Sequence, residues 1–115
     1  MLTLPIKKKW FDMICSGVKR EEYRAETPYY AKRFKSIGLL DDNGDTTGKE
    51  AWVILRNGYG KNKPEIMATV SLKIGTGHPS WGAEEGEWYY VLIIHGFVHP
   101  AWLDAQTPKG GEQDG

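Results

Sequence analysis

The chain contains a single cysteine, Cys15, among 115 residues. No disulfide can form within it and no cysteine-based zinc site can be built. So little cysteine favours a reducing compartment, and a cytoplasmic location is expected. Net charge is also missing, since Lys+Arg and Asp+Glu both number 15. Neutrality argues against strong nonspecific binding to long duplex DNA, while a local basic cleft stays open. No apolar run approaches the roughly 18 residues of a membrane span. The opening MLTLPIKKKW reads as neither a signal nor a transit peptide. No membrane partner is therefore expected. Internal repeats are absent, and 115 residues fit one domain that can bury a core without staples.

Aromatic residues are plentiful: Trp 5, Tyr 6 and Phe 3. They serve core packing or base stacking, which composition does not separate. Leu2 to Ile6 reads as a first strand that Pro5 confines to an edge or an end. Lys7 to Ser16 reads as a helix, with Trp10, Phe11, Ile14 and Cys15 on one apolar stripe and Gly17 as its C-terminal cap. Thr27-Pro28 reads as the cap and first position of a second helix reaching about Ile37, with Tyr30, Phe34 and Ile37 on its apolar face. Three β runs follow, over 51–56, 66–74 and 88–98, the last apolar on both faces as in a central strand. Asn57 to Pro64 suits a hairpin connection, and Gly75 to Glu87 a glycine-rich loop bearing His78 and Trp81. Strand, helix, strand, helix and three strands predict an α+β domain over residues 1–105, its mainly antiparallel sheet curling into a small barrel with the first helix over one opening. Residues 106–115 hold no large apolar side chain and read as a disordered tail.

The densest chemistry lies in CSGVKREEYRAETPYY, where Lys19, Arg20, Glu21, Glu22, Arg24 and Glu26 fall within the nine residues from Val18 to Glu26. A charge run of this kind is usually a solvated face. Its local structure is ambiguous: propensity favours helix, but Gly17 has just ended one. As a strand, Arg20, Glu22 and Arg24 share one face, and Lys19, Glu21 and Tyr23 the other. Glu22 and Arg24 can then share a site, with Lys19 reaching in from the strand's start. Such a set offers donors and an acceptor together, the mixture a nucleobase edge requires, whereas a phosphate needs donors only. A half-buried lysine beside a glutamate can also have the tuned pKa of a general base.

Gly17-x-Lys19-x-x-Glu22-x-Arg24 resembles the G-x-K-x-x-E-x-R signature of the ASCH domain, a member of the PUA-like superfamily. The flanks agree: an opening strand, the amphipathic helix KKWFDMICSG, and later strands ATVSLKI and YYVLIIHGFV. The likeness covers roughly Leu2 to Val98. It implies a PUA-like β-barrel with a cleft between barrel and helices that binds RNA or a modified nucleobase or nucleoside. Gly17, Lys19, Glu22, Tyr23, Arg24 and Trp81 are the expected ligand-binding residues. In one branch of the family the lysine is catalytic in hydrolysing N4-acetylcytidine, and another branch is linked to RNA cleavage. If this chain is an enzyme, Lys19 and Glu22 are its catalytic residues. Here Glu22 stands where the amidohydrolases have threonine, and Glu65, Glu84, Glu85 and Glu87 all compete for the place of their downstream glutamate.

Other features are weaker. Tyr23, Tyr29, Tyr30, Trp52, Tyr59 and Trp81 are stacking platforms or packing residues. Lys7, Lys8, Lys9, Lys32, Arg33 and Lys35 form a basic rim or merely solubilise two helices. His95-x-x-x-His99 has metal-like spacing, but a strand does not bring i and i+4 together. The loop DDNGDTTGKE faintly resembles a calcium loop, yet Trp52 stands where the bidentate glutamate would be needed. Gly58-x-Gly60-x-x-x-Pro64 lacks the Gly-Lys-Ser/Thr of a phosphate loop. No metal and no cofactor are expected.

Overall fold

The computed structural model describes residues 1–60 and 62–99. The expectation of a disordered tail over 106–115 lies outside the described residues. The elements are β1 (Thr3–Ile6), α1 (Lys8–Cys15), β2 (Glu21–Arg24), α2 (Pro28–Ser36), β3 (Ala51–Asn57), β4 (Glu65–Thr76), a single 3-10 turn at Pro79–Trp81, and β5 (Trp88–Val98). The strands form one five-stranded sheet in the order β1-β3-β4-β5-β2. β1 runs parallel to β3, and the other three pairings are antiparallel. The result is an α+β domain with a mixed sheet and two helices. No helix among the described residues is long and apolar enough to cross a membrane.

Alternation builds the core. In β4 every second residue from Ile66 to Leu72 is buried, and these face Val53 and Leu55 of β3 and Leu92 of β5. Phe11 and Ile14 of α1 and Phe34 of α2 pack onto the same cluster. Tyr90, Val91 and Leu92 are consecutive and all buried, as expected of a strand flanked on both sides. Thr27 caps α2 by accepting from the Tyr30 amide at 3.3 Å. Each helix is closed by a glycine at positive φ, Gly17 after α1 and Gly38 after α2. At Gly17 the closure sets up the site. The amides of both Val18 and Lys19 return to the Met13 carbonyl at 3.0 Å, so the chain reverses sharply and delivers Lys19 to the start of β2.

The expected barrel does not close, because β1 and β2 remain the two edges of an open sheet. A physical reason is visible in the side of β1 turned away from β3. The Leu2 and Ile6 carbonyls accept from β3 and its end, at Ile54 and Gly58. Residue 5, which alternates to the other side, is a proline with no N–H to offer a ladder. Its carbonyl instead accepts from Arg24 Nη2 at 2.8 Å, while Arg24 Nη1 donates to the Tyr23 carbonyl at 2.9 Å. One guanidinium thus takes the place of backbone donors across the seam between the edges.

Candidate functional site

A cleft of about 470 Å³ opens at this seam. Its lining comes from β1 and its exit (Pro5, Ile6, Lys7), from Trp10 of α1, from β2 (Glu22, Tyr23, Arg24), from Tyr30 of α2, and from two loops (Gly58, Tyr59; Trp81, Gly82). A volume of this size lies within the range of small-molecule sites, roughly 300–1,000 Å³.

The charged motif lies beneath it. The Lys19 side chain is only 1% exposed; its ammonium lies 3.2 Å from Glu22 Oε1 and donates to the Trp81 carbonyl at 2.5 Å. The rings of Tyr23 and Trp10 flank it, with centroids at 4.8 and 5.4 Å. Glu22 Oε2 pairs with Arg24 Nη1, and the Arg24 guanidinium lies 5.8 Å from the Tyr30 ring centroid. Glu22 is therefore clamped between two cations and is itself buried. The run is not a solvated face, although Arg20 and Glu26 within it are exposed.

Burial pushes the Lys19 pKa below its ordinary 10.5; the Glu22 carboxylate opposes the shift without cancelling it. The folded protein then releases this proton before the unfolded chain does. The stability contributed at Lys19 accordingly rises with pH between the depressed value and 10.5, and is flat below it. NMR titration of the Lys19 Nζ should give a midpoint under 10.5. In Glu22→Gln the midpoint should fall further, because the group that retains the proton is gone. An unchanged midpoint in the variant would mean that the carboxylate does not reach the ammonium electrostatically.

The loop after β4 seals the arrangement from above. Tyr23 lines the same cleft as Glu22 and Arg24 and also reaches this loop. Its hydroxyl donates to Glu21 Oε1 at 2.9 Å and accepts from the His78 amide at 2.9 Å. Glu21 also lies 3.7 Å from Lys73 and 3.8 Å from His78 Nε2. The His78 ring leans on Trp81 at a centroid distance of 4.3 Å. Burial, with Glu21 adding to it, pushes the Tyr23 phenol well above its ordinary range, so the hydroxyl stays protonated as a donor. Gly82, at φ 106°, turns the loop hard against Trp10, where a Cβ would lie 3.0 Å from the indole.

Several sequence expectations change in this light. Gly17 acts through the helix closure rather than at the cleft wall. Lys19 was expected to reach into the site, but it lies behind the lining, under the Trp81 carbonyl. Glu22, Tyr23, Arg24 and Trp81 do line the cleft, and Trp81 acts on Lys19 through its backbone. None of Glu65, Glu84, Glu85 and Glu87 is among the lining residues, and Glu65 is paired with Arg56 at 2.6 Å. Of the stacking candidates, Tyr30, Tyr59 and Trp81 line the cleft with Tyr23, whereas Tyr29 and Trp52 do not. Tyr29 instead carries the Arg33 guanidinium at 3.4 Å. Of the basic rim only Lys7 lines the cleft; Lys8 pairs with Asp12, and Lys9 lies over Trp10 at 4.7 Å. His95 bonds Ser71 Oγ at 2.7 Å, and His99 packs on Phe97, so each has its own partner. Asp41 Oδ1 accepts from the amides of Asn43 and Asp45, which occupies that carboxylate in the loop's own turn.

Trp10, the Pro5 carbonyl and Gly82 were missed as parts of the site. The sequence marks Trp10 only as a member of the α1 stripe. The stripe's breadth was the available signal, since its first residue lies at the helix end beside β1. No protein-family model matches the chain, and no curated protein or solved structure matches it either.

Proposed function

We propose that this chain is an ASCH-type, PUA-like domain that binds RNA or a modified nucleobase or nucleoside in the cleft at the β1–β2 seam. The observation that supports this best is the pairing of a buried Lys19–Glu22–Arg24 set with a cleft whose walls carry Trp10, Tyr23, Tyr30, Tyr59 and Trp81. Aromatic walls suit the faces of a base, and stacking of this kind contributes about 1–3 kcal/mol per base. The Glu22 carboxylate and the Arg24 guanidinium offer an acceptor and donors to its edge. Binding is preferred over hydrolysis of an acylated cytidine, or cleavage of RNA, because the Lys19 ammonium is sealed under the Trp81 carbonyl and no second carboxylate among the described residues lines the cleft.

Titration of the protein with N4-acetylcytidine, cytidine and a short single-stranded RNA, read by tryptophan fluorescence, tests the reading. At least one should bind saturably and quench the emission. Trp81→Ala should weaken that binding by about tenfold or more, equivalent to roughly 1.4 kcal/mol. Failure of all three to bind would reject the proposal. Release of cytidine from N4-acetylcytidine, abolished in Lys19→Met, would replace it with the amidohydrolase.

A further inference from the structure

We infer that the ligand of this cleft carries a phosphate together with its base, as a free nucleotide or as a residue within RNA, and that Lys7 receives the phosphate; the inference rests on the nucleobase reading above. The charge of the lining carries it. Among the described residues the lining contains one carboxylate, Glu22, and two cations, Lys7 and Arg24. Glu22 is already answered on both oxygens, by Lys19 at Oε1 and by Arg24 at Oε2. Two cations against one carboxylate leave this set one positive charge in excess; the Glu21 carboxylate, which also acts on Lys19, does not line the cleft and is already engaged by Tyr23, Lys73 and His78. Among the described residues no further carboxylate lines the cleft to cancel the excess.

Lys7 adds a second positive charge at the mouth. Its two neighbours are engaged elsewhere, Lys8 with Asp12 at 2.6 Å and Lys9 over Trp10 at 4.7 Å. Lys7 itself is exposed and forms no ion pair among the described residues. Tyr59 stands close by, because the Gly58 amide donates to the Ile6 carbonyl at 2.8 Å and so ties the Tyr59 loop to the end of β1. Tyr59 is 82% exposed although it lines the cleft, which leaves its ring and its hydroxyl free at the mouth. Apolar walls concentrate the field of such uncompensated cations on whatever enters. A bare nucleoside leaves the excess unanswered, whereas a phosphate monoester or diester supplies the missing anion next to the stacked base.

Calorimetric titration of the full chain settles this with the four ribonucleosides and N4-acetylcytidine, each with and without a 5′-phosphate, and with inorganic phosphate and a short single-stranded RNA. At least one phosphorylated ligand should bind about tenfold tighter than its nucleoside, and the gap should shrink as salt rises. Lys7→Met should close the gap, while Lys8→Met, which alters a lysine outside the cleft, should preserve it. If nucleosides bind as well as their phosphates, the inference is overturned and the nucleobase reading stands. If inorganic phosphate binds as tightly as any nucleotide, the base contributes nothing, and both readings fall. If nothing binds, both fall as well. Comparison of mononucleotide with RNA identifies which source of the phosphate is preferred.

Discussion

Glu22→Gln is expected to destabilise the protein by about 3–5 kcal/mol, the usual consequence of removing one partner from a buried ionic set. The substitution keeps the shape and removes the only anion between Lys19 and Arg24. The Lys19 ammonium is then left with the Trp81 carbonyl and two ring faces, in a site where its side chain is 1% exposed. Arg24, at 12% exposed, keeps the Tyr23 and Pro5 carbonyls and suffers less. At about 4 °C per kcal/mol for a domain of this size, the melting temperature should fall by roughly 15 °C. Replacing all three charges together, as Lys19→Met, Glu22→Leu and Arg24→Met, should recover part of the loss, because no ion is then left buried without a partner. A chemical denaturation series distinguishes the cases. If Glu22→Gln lies within about 0.5 kcal/mol of the parent, as surface changes do, the clamp is not what holds this region.

Gly77→Ala is the second large effect, and it arises from shape alone. A Cβ at residue 77 would lie 2.6 Å from Tyr23 Cζ and 2.8 Å from the Ala83 Cβ. The ring cannot easily give way, since its hydroxyl bonds both Glu21 and the His78 amide. The backbone must shift instead, at a cost of about 1–3 kcal/mol. The loop should lift from Tyr23, the His78 amide should lose its protection from hydrogen exchange, and Lys19 should lose the Trp81 carbonyl. In a Tyr23→Ala background the same substitution should cost less, because the obstructing ring is gone and only the contact with the Ala83 Cβ remains. Additive effects of the two changes would show that the Tyr23 ring is not the constraint at Gly77.

The sequence disclosed the elements better than their closure. Gly17, Thr27-Pro28 and the alternation of 66–74 each act through local chemistry, and β1, both helices and the three later strands stand where these signals put them, within a residue or two at most ends. The ambiguity of 18–26 was real. Only Glu21–Arg24 became strand, through pairing with β5 some seventy positions later, which no local propensity encodes. The barrel stays open for a reason present in the sequence at Pro5, whose missing N–H marks an edge but does not name the Arg24 guanidinium that bonds its carbonyl across the seam. At the site, the parity of strand positions correctly put Glu22 with Arg24. It could not reveal that Lys19 lies behind them, because the element covering it, the loop between β4 and β5, has no period to read. The same gap hid Gly77 and Gly82, whose need for small size depends on rings that belong to other segments.

The seam has a consequence for the order in which the molecule assembles. β3, β4 and β5 are joined in sequence by turns and pair as neighbours, so they can form early from contacts of short span. β1 must wait for β3, and β2 for β5, across loops that close only at a larger entropic cost. The charged clamp needs a closure of similar span, since Lys19 meets a carbonyl 62 positions away. The cleft is therefore expected to be the last part of the protein to form. Its burial of charge weighs on how fast the native state opens, and leaves the speed with which the meander first forms almost untouched.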